Sequence, residues 1–568
     1  MDHTERIWLK HYPKTVPHTI DFGTHTTLID YTNQLFERNK NYNAFECMGK
    51  YMTYAEVSEK ANYFAAYLQS QGLKPGDRIA FMMLNILQYP IALLGALRAG
   101  LIVVNTNPLY TAREIKHQFN DAGVTAVLVL ENFAAELQKV IKETNVKLTM
   151  VTSIGEMLGL KGPIVNFVLR YVKKMIPSYN LPGAVKFSTA LAKGKSANFT
   201  KPPQGKLDDT ICIQYTGGTT GVAKGAELTN RNLLANMLQV RSWIAPAGLV
   251  EGQERMLTPL PLYHIFSFTV NCLSMATFGA CSVLVVNPRD LPTLVKTIQK
   301  TKPTLMTGVN TLFNGLANNP EFQKLNFKEI GLKLAVAGAM AVQRPVAEKW
   351  HKITGIPLTE GYGMTESSPV ASVNLLGSPR LGTIGLPIPS TEIRIINVDT
   401  NEVAAIGERG EIQIKGPQVM KGYYNRPEET AKTITNDGWL RSGDIGIMDE
   451  EGYVTIVDRL KNMILISGFN VYPNELEDVL VSHPKVLEAA AIGVPDAKSG
   501  EAIKIFIVKK DKSLTEEEIR EFCKENLTGY KKPRYIEFRD ELPKTNVGKI
   551  LHKDLREEEL KKNTTHPA

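Results

Sequence analysis

The feature that most constrains this chain is the segment 215–225, which reads YTGGTTGVAKG. It directly follows the apolar run 211–213, which predicts a buried strand. Glycines let successive backbone N–H groups turn toward one anion, threonines add hydroxyl groups, and Lys224 adds a mobile positive charge suited to phosphate. The segment therefore predicts a cradle for the phosphates of a nucleotide or for pyrophosphate. A flexible Gly/Thr turn on the surface is the alternative.

This cradle differs from the common phosphate-binding P-loop. The P-loop has Gly directly before its Lys and Ser or Thr directly after it, whereas Ala223 and Gly225 flank Lys224. The expected phosphate ligands in the segment are Thr216, Gly217, Gly218, Thr219, Thr220 and Lys224.

Length and charge limit the remaining possibilities. A chain of 568 residues is too long for one hydrophobic core and predicts two to four domains. The chain has 66 Lys and Arg against 58 Asp and Glu, a mild excess of 8. This excess is too small and too dispersed to indicate a nucleic-acid-binding protein, so no nucleic acid is expected as a partner.

Cysteine usage and hydropathy predict a cytoplasmic location. The five cysteines are scattered and lack the paired spacing of a metal site, which indicates a reducing compartment and no structural metal. The first residues, MDHTERIWLKHYPK, have no apolar core of signal-peptide length, and no later run reaches the roughly 18 apolar residues of a spanning helix. We therefore expect a protein that is neither exported nor threaded through a bilayer.

Helical and strand-like segments alternate in the first quarter of the chain. The patterns predict helices at 54–71, 86–98 and 114–122, and strands at 78–83, 101–104 and 126–130. Such alternation predicts an α/β fold with a largely parallel sheet covered by helices.

The segment 164–176 has a different character. At about 100° per residue, its apolar side chains fall on one face and Asn166, Arg170, Lys173 and Lys174 fall on the opposite one. A basic amphipathic helix of this kind can lie in a membrane interface, with its cations near acidic headgroups. The alternative is that the apolar face packs on the protein itself.

A second group of candidate ligands lies at 358–366, LTEGYGMTE. The ring of Tyr362 could cover a flat heterocycle, Thr365 could contact a phosphate, and Glu366 is an oxygen ligand suited to Mg²⁺. Together with the cradle upstream, these residues predict a magnesium nucleotide site. His264 lies in the apolar context PLYHIFSF. A single histidine among apolar residues is usually a hydrogen-bonded core residue, so the sequence context alone does not make it a site residue.

Six motifs occur in the order found in the adenylate-forming superfamily of acyl-CoA synthetases, luciferases and peptide-synthetase adenylation domains. They are YTGGTTGVAKG, PLYHIF, LTEGYGMTE, GWLRSGD at 438–444, VDRLKNMILISGFNVYP at 457–473 and PKTNVGKI at 543–550. The chain resembles this superfamily over about residues 25–560. Within it, the chain looks most like bacterial long-chain fatty acyl-CoA synthetases, in the form of the cradle, the segment MILISGFNVYPNELEDVL and the basic insertion NFVLRYVKKMIP.

The resemblance implies a two-step reaction that uses ATP, Mg²⁺ and coenzyme A. A fatty acid carboxylate attacks the α-phosphate of ATP to give acyl-AMP and pyrophosphate, and the thiol of coenzyme A then displaces AMP. By motif, the cradle residues would hold the ATP phosphates, Thr365 the α-phosphate and Glu366 the Mg²⁺. The adenine would be lined by Gly338, Ala339 and Tyr362, and the ribose hydroxyls bound by Asp444 and Arg459. His264 would lie between the nucleotide and the acyl pocket, Phe268 would gate the alkyl tunnel, and Lys549 would act on the developing charge.

The resemblance also implies the domain arrangement. A large N-terminal domain of layered β-sheets and helices, 1–458, would be followed by a small mobile α+β domain, 459–568, that rotates about a hinge at 458–461. Lys461 would occupy the hinge. One orientation would bring Lys549 to the phosphates, and the other would bring the turn of Ser467, Gly468 and Phe469 to the acyl-AMP on the coenzyme A side. Members of the family are often dimeric, so a homodimer is an open expectation.

Departures from the common pattern are mild, and three functional readings stay open. Gly217 stands where many relatives have Ser, Ala223 where Pro is frequent, Ser442 where Thr is usual and His552 where Arg is common. The first reading is a long-chain acyl-CoA ligase. The second is an enzyme for shorter or aromatic acids, or one that serves a carrier protein, and the third is a nucleotide-binding protein without catalysis.

Overall fold

The computed structural model describes residues 6–216, 223–460, 462–466, 469–496, 500–545 and 548–565, with the backbone alone at 469–470 and 563–565. The helices are α1 Leu28–Arg38, α2 Tyr54–Ser70, α3 Gln88–Arg98, α4 Ala112–Ala122, α5 Ala134–Val140, α6 Gly162–Phe167, α7 Phe187–Lys195, α8 Asn230–Ile244, α9 Leu291–Thr301, α10 Asn310–Ala317, α11 Pro320–Gln323, α12 Phe327–Ile330, α13 Arg344–Thr354, α14 Pro427–Thr433, α15 Pro473–Val481, α16 Glu516–Asn526 and α17 His552–Thr565. Two π-helical segments, Val168–Val172 and Ser267–Leu273, accompany them.

The strands form four sheets. They are β1 Asn43–Cys47, β2 Lys50–Thr53, β3 Arg78–Met82, β4 Ile102–Asn105, β5 Val124–Leu130, β6 Leu148–Thr152, β7 Val185–Lys186, β8 Thr210–Thr216, β9 Lys224–Thr229, β10 Arg255–Thr258, β11 Cys281–Leu284, β12 Leu305–Gly308, β13 Leu334–Ala337, β14 Leu358–Gly363, β15 Val370–Val373, β16 Leu386–Pro387, β17 Glu392–Ile396, β18 Arg409–Lys415, β19 Gly422–Tyr423, β20 Leu440–Met448, β21 Val454–Arg459, β22 Ile464–Ile466, β23 Phe469–Val471, β24 Val486–Asp496, β25 Gly500–Lys509 and β26 Tyr535–Arg539.

Two large sheets with parallel centres form the body of the N-terminal region. One has the order β19-β9-β8-β4-β3-β5-β6-β7, and the other has the order β16-β15-β14-β13-β12-β10-β11-β1-β2. The pairs β3–β4, β3–β5 and β4–β8 are parallel, as are β10–β12, β12–β13 and β13–β14. The α/β class and the largely parallel sheet predicted from the sequence are confirmed.

Local signals explain why the helices begin where they do. Thr53 and Glu56 form a capping box at the start of α2, in which each side chain accepts a hydrogen bond from the other residue's backbone N–H. Thr111 and Glu114 do the same for α4. Such reciprocal bonds satisfy backbone donors that a helix N-terminus would otherwise leave unpaired.

Two antiparallel sheets complete the chain. The order β17-β18-β20-β21 closes the large domain, and its last strand ends at Arg459. The sheet of the C-terminal region has the order β23-β22-β25-β24 with β26 parallel to β25, and its first strand begins at Ile464. The change from one sheet to the other therefore falls within a few residues of the predicted hinge.

The segment 164–176 is held to the protein through Val165 and Leu169, which pack on the main core, and through the polar contacts of Asn166 and Arg170. The Oδ1 atom of Asn166 accepts a hydrogen bond from the Gly155 N–H at 2.8 Å, and Arg170 pairs with Glu131, whose side chain is 5% exposed. The opposite apolar face is exposed, with Ile164 at 68% and Val172 at 66%. The alternative in which this face packs on the protein is therefore wrong. Polar partners hold both Asn166 and Arg170, although the Arg170 side chain is 44% exposed.

Two further observations concern location. Within the described residues, no helix combines the length and the apolar character needed to cross a membrane. The five cysteines, Cys47, Cys212, Cys272, Cys281 and Cys523, are all buried and unpaired with one another.

Candidate active site

A cavity of about 1620 Å³ opens where the parallel strands of the two large sheets end. Thr216 at the end of β8, Gly338 just after β13 and Tyr362 on β14 all line it. Residues of the C-terminal region, including Lys549, line its other side. The carboxyl ends of parallel strands are the usual place for ligands in such sheets, and the volume exceeds that of an ordinary small-molecule pocket.

The ends of the predicted phosphate cradle are held by two paired strands. Thr216 and Lys224 lie opposite each other in the antiparallel pair of β8 and β9. The cradle therefore joins two strands, whereas a P-loop joins a strand to a helix. Lys224 pairs with Glu429 of α14, and its Nζ atom lies 5.2 Å from the centroid of the Tyr423 ring. The predicted ligands Gly217, Gly218, Thr219 and Thr220 lie outside the described residues.

Gly338 and Ala339 form part of the predicted adenine wall, and both have unusual local requirements. A Cβ atom at Gly338 would lie 2.9 Å from the ring of Phe266, so the close packing of that ring requires glycine. Ala339 adopts a positive φ of 67°, which few residues with a Cβ atom tolerate. The backbone here is thus shaped to present a turn at the edge of the sheet.

The two glycines beside Tyr362, Gly361 and Gly363, differ in how closely other backbone packs against them. A Cβ atom at Gly363 would lie 1.8 Å from the carbonyl oxygen of Pro369, so this glycine is required by backbone packing. At Gly361 a Cβ atom would make only ordinary contacts.

Tyr362, Asp444 and Arg459 meet although they are far apart in sequence. The Tyr362 hydroxyl donates a hydrogen bond to Asp444 Oδ2 at 2.6 Å, and Arg459 Nε lies 3.1 Å from Asp444 Oδ1. Burial and the adjacent carboxylate raise the pKa of the Tyr362 phenol, so it stays protonated and remains a donor. The carboxylate of Asp444 is thereby fixed in orientation between a phenol and a guanidinium group.

Thr365 and Glu366 begin the short 3₁₀ turn Thr365–Ser367 that follows β14. Both line the cavity, and Glu366 is 7% exposed. The Tyr423 hydroxyl donates to Glu366 Oε1 at 2.6 Å. Sequence reasoning missed Tyr423 and also Glu429, the partner of Lys224. No spacing signal could have found them, because the contact between Tyr423 and Glu366 spans 57 residues.

His264 lines the cavity and is a neutral hydrogen-bond donor. Its Nδ1 atom accepts the Phe266 N–H at 3.3 Å, which leaves the proton on Nε2. Burial lowers the pKa of His264 to about 4, and the positive charge of Lys549 contributes in the same direction. His264 is half-buried at the cavity wall, so it is not enclosed in the hydrophobic core.

Lys549 is carried by a closed hairpin. The Thr545 N–H donates to the Lys549 carbonyl at 2.7 Å, and Lys544 and Ile550 form an antiparallel bridge. The hairpin reaches the large domain at Gly548, where a Cβ atom would lie 2.5 Å from Thr311 Oγ1 of α10. The C-terminal region is thus oriented so that Lys549 lines the cavity.

Other residues predicted for the moving domain cannot be assigned a position. Lys461, Ser467 and Gly468 lie outside the described residues, and Phe469 is described only as the first backbone position of β23. The two roles given to these positions, hinge and coenzyme A side, stay predictions.

One branch of the cavity is apolar and runs between helix and sheet. Its wall combines side chains of α8, the π-helical segment Ser267–Leu273, the 3₁₀ turn Ser274–Phe278 and the strands β10, β12 and β13, namely Val240, Trp243, Ile244, Met256, Val270, Met275, Leu305, Leu334 and Val336. Phe268, the predicted gate, is 1% exposed in the main core and does not belong to this wall. Phe266 does line the cavity, so the aromatic residue at the wall lies two positions before the expected one.

Comparison with known proteins assigns the fold and the site to a family. The family of AMP-binding enzymes matches residues 33–424, and the AMP-binding enzyme C-terminal domain matches residues 475–549. The chain belongs to the AMP-binding enzyme family. The first match includes Thr216, Lys224, Gly338, Tyr362 and Glu366 of the cavity wall, and Lys549 is the last residue of the second.

Two curated proteins and one solved structure illustrate how similar this chain is to known proteins. It is 53% identical to a long-chain-fatty-acid–CoA ligase of Escherichia coli O6:H1 over 98% of both chains. It is 38% identical to a long-chain-fatty-acid–CoA ligase of Bacillus subtilis, again over 98% of both chains. Among solved structures, ATP-bound MatB from Rhodopseudomonas palustris has a TM-score of 0.77 and 26% identity, with 93% of this chain and 98% of that chain covered.

Proposed function

We propose that this chain converts long-chain fatty acids to their coenzyme A thioesters through acyl-AMP, with release of AMP and pyrophosphate. The observation that carries the proposal is the apolar branch of the cavity. It continues past the polar end along β12 and β13, and apolar side chains line it as far as Leu305 and Leu334. A long alkyl chain needs an apolar enclosure of this kind, since each buried CH₂ contributes about 0.8 kcal/mol.

In the first half-reaction, the fatty acid carboxylate attacks the α-phosphorus of ATP and the bond to pyrophosphate breaks. Lys549 would stabilise the negative charge that develops between the carboxylate and the α-phosphate. Electrostatic contacts of this kind act in a site that excludes water and are commonly worth about 3 to 4 kcal/mol. His264 would donate its Nε2 proton as a hydrogen bond without itself carrying charge, which keeps it compatible with the nearby Lys549.

The remaining polar residues would bind and orient the nucleotide. Asp444 would accept the ribose hydroxyls, and Arg459 would keep its carboxylate in place. Thr216 and Lys224 would bind phosphates at the ends of the cradle. Phosphate would then compete with Glu429 for Lys224, so ATP binding would weaken that ion pair.

Glu366 fits the requirements for a magnesium ligand. Its carboxylate is buried at the cavity wall, and Tyr423 holds one of its oxygens. Mg²⁺ in nucleotide sites is commonly held by one or two carboxylates together with substrate phosphates and water. When bound, Mg²⁺ would neutralise charge on the phosphates.

In the second half-reaction, the thiol of coenzyme A attacks the acyl carbon of acyl-AMP and AMP leaves. The Lys549 hairpin would have to withdraw from the cavity to make room for the pantetheine. We propose that the C-terminal domain rotates for this step about the residues near Arg459, where one sheet ends and the next begins. Assembly as a homodimer stays a prediction.

The substrate class is tested by AMP release from ATP and coenzyme A across straight-chain acids from acetate to oleate, with 4-coumarate as an aromatic control. A maximum at about twelve to eighteen carbons is expected, because the gain per CH₂ continues until the apolar branch is full. A maximum with short or aromatic acids would contradict the long-chain assignment but would still support the two-step reaction through acyl-AMP. No AMP with any acid would contradict the enzymatic function altogether.

We further propose that this enzyme contacts an anionic membrane surface peripherally. The apolar ridge, defined as Leu160, Ile164, Phe167, Tyr171, Val172 and Met175, has side chains between 51% and 98% exposed. Lys161, Lys173 and Lys174 belong to the same segment. Exposed apolar side chains rimmed by cations match an interface of acyl chains and acidic headgroups. Its polar side is anchored by Glu131, so the segment can present the ridge without unfolding.

Vesicle sedimentation tests the membrane contact. The protein should pellet with phosphatidylcholine vesicles that contain phosphatidylglycerol and much less with phosphatidylcholine alone. The double variant Ile164→Ser, Val172→Ser should lose most of this binding. The matched control is Val398→Ser, Val403→Ser, two valines that are 50% and 44% exposed elsewhere on the large domain. Equal pelleting of the two double variants would contradict the proposal. So would a change of oligomeric state in the ridge variant without lipid, which would indicate a protein interface instead.

A further inference from the structure

The hairpin that carries Lys549 ends at an ion pair that is largely shielded from solvent. The Leu551 N–H donates to the Pro543 carbonyl at 2.8 Å and closes the hairpin, and the next residue is His552, the first of α17. The Nε2 atom of His552 lies 2.6 Å from Glu477 Oε1 of α15, with the two side chains 14% and 11% exposed. His552 therefore connects the base of the hairpin to the body of its domain.

A second carboxylate faces His552 from the large domain. Asp458, on the last strand of that domain, is 1% exposed, and its Oδ2 atom accepts the Asn474 N–H at 3.0 Å, one residue into α15. Its negative charge acts on His552, as that of Glu477 does. Burial raises the pKa of Asp458 itself to about 6, so its carboxylate is ionised above that pH, where the loss of the His552 proton is tested. Glu477 is itself fixed, because its Oε1 atom also accepts the Ala491 N–H of β24 at 2.8 Å. A cation at His552 is thus attracted to carboxylates on both sides of the domain junction.

Other charged groups around His552 act more weakly or elsewhere. Arg556, one turn further along α17, opposes a charge on His552 and donates to the Asn462 carbonyl at 2.8 Å. On β24, Glu488 pairs with Lys544 at 2.6 Å, which gives the hairpin a second anchor that does not involve the histidine. Asp478 follows Glu477 on α15, and burial together with the charge of Glu477 raises the pKa of Asp478 to about 7, so this carboxyl also titrates in the neutral range.

The balance of these groups favours the imidazolium form. Burial by itself lowers the pKa of His552, but Glu477 and Asp458 together outweigh burial and raise it above the ordinary value of 6.5. A group whose pKa is raised in this way stabilises the arrangement fully below its ordinary pKa. The stabilisation is then lost as the pH rises through the raised value.

We infer that His552 is a positioning residue: as a cation between Glu477 and Asp458 it holds the Lys549 hairpin in the cavity, and acyl-AMP formation weakens when His552 loses its proton. This inference rests on the proposed function, since it concerns the first half-reaction. An unperturbed lysine has a pKa near 10.4, well above that of an unperturbed histidine. A fall in rate between neutral and mildly alkaline pH can therefore be assigned to a histidine rather than to a lysine.

ATP–pyrophosphate exchange with palmitate and without coenzyme A tests the inference from about pH 6 to about pH 9. The wild-type rate should fall toward the alkaline end. The His552→Arg variant carries a permanent cation and should not show this fall. The His552→Gln variant should be slower by about tenfold to a hundredfold at the acidic end, the size of effect expected from a small misplacement of a catalytic group. The Glu477→Gln variant should shift the fall to lower pH, because the histidine loses its ionic partner.

The control is His483→Gln. His483 is another buried histidine of the same domain, with its Nε2 atom 3.7 Å from Glu518 Oε1. This variant should keep the wild-type pH profile. An unchanged alkaline fall in His552→Arg, or an unshifted one in Glu477→Gln, would overturn the inference even if His552→Gln were too unstable to assay. Absence of exchange in the wild type at every pH would contradict the proposed function instead.

Discussion

At the scale of single residues, the polar groups of the cavity are oriented by their neighbours. Tyr423 holds Glu366, Tyr362 holds Asp444, and Glu429 pairs with Lys224. A charged or phenolic group that is already held in place loses less conformational freedom when a ligand binds, which favours affinity. Only the Lys224 pair must open to admit a phosphate.

Replacement of Lys549 should separate the two half-reactions. We expect Lys549→Ala to lower ligation from ATP by about 10² to 10³-fold, because the charge that stabilises the first transition state is removed. Thioester formation from supplied acyl-AMP and coenzyme A should stay nearly intact. The two rates are measured separately by product release, with Lys512→Ala, an exposed lysine of the same domain, as control. Equal loss of both rates would contradict this division of roles.

Glu360 should make the large domain less stable at neutral than at acidic pH. This residue is 6% exposed and accepts the Val342 and Gly382 N–H groups, and burial raises its pKa to about 7. Because the folded state favours the protonated acid, ionisation costs stability as the pH rises from about 4.5 to about 7, by about 3 kcal/mol.

Thermal unfolding across this pH range tests that expectation. The melting temperature of Glu360→Gln, relative to that of the wild type, should increase as the pH rises from about 4.5 to about 7. Glu348→Gln, at an exposed glutamate, should follow the wild type throughout. A constant difference between Glu360→Gln and the wild type would show that Glu360 does not titrate in this window.

At the scale of elements, the apolar branch follows the direction of the strands. Gly338 lies beside the carboxyl ends of the sheet, and Leu334 is the first residue of β13. Four residues of strand cover about 13 Å at 3.3 Å each. The branch therefore extends from the nucleotide end toward the amino ends of the strands, with α8 as its cover.

A larger side chain at the far end should shorten the acceptable substrate. We expect Leu334→Phe to lower kcat/KM for palmitate by about tenfold relative to octanoate, since two expelled methylenes would lose about 1.6 kcal/mol of burial. The ratio is measured by AMP release with each acid. The control is Ala335→Val. Ala335 is the next residue of the same strand but points to the opposite face of the sheet, into a separate hydrophobic cluster, so this variant should leave the ratio unchanged. A parallel loss with both acids would mean that Leu334 is not at the end of the acyl path.

At the scale of the whole molecule, the large domain and the C-terminal region both contribute residues to the cavity wall. The hairpin reaches the large domain at Gly548, which has a φ of 81° and lies against Thr311. A Cβ atom at this position would clash with Thr311 of the large domain, and the positive φ would in addition strain the backbone of any residue other than glycine. Lys549, the proposed catalytic lysine, is thus next to a domain contact that requires glycine.

A double-mutant cycle should reveal this docking contact. We expect Gly548→Ala to reduce acyl-AMP formation more than thioester formation, because its Cβ atom would lie 2.5 Å from Thr311 Oγ1. Thr311→Ala in the same chain should recover part of the loss, namely the steric part, and leave the part due to the positive φ. Exchange and thioester assays on the four proteins give the coupling. Strict additivity would indicate that the two residues do not meet during the first half-reaction.

Much of the local structure was predictable from the sequence. The helices at α2, α3 and α4 and the strands between them follow from periodicity and caps, and the α/β class follows from their alternation. The motif residues Asp444, Tyr362 and Arg459 were predicted as one site, and the structure brings them together. By contrast, Tyr423 and Glu429 carried no signal, because their partners are 57 and 205 residues away.

By itself, the sequence determined which chemical groups are present and which segments form helices and strands, because both depend on residues that are near neighbours in the chain. Only the tertiary structure decided which face of the 164–176 segment turns outward. Periodicity defines two faces but not their partners. The packing of Val165 and Leu169 on the main core and the contact of Arg170 with Glu131 leave the apolar ridge exposed. The tertiary structure also decided that Phe266, and not Phe268, lies at the cavity wall. It decided the orientation of the C-terminal region that places Lys549 at the cavity. Both depend on contacts between segments that are distant in the sequence.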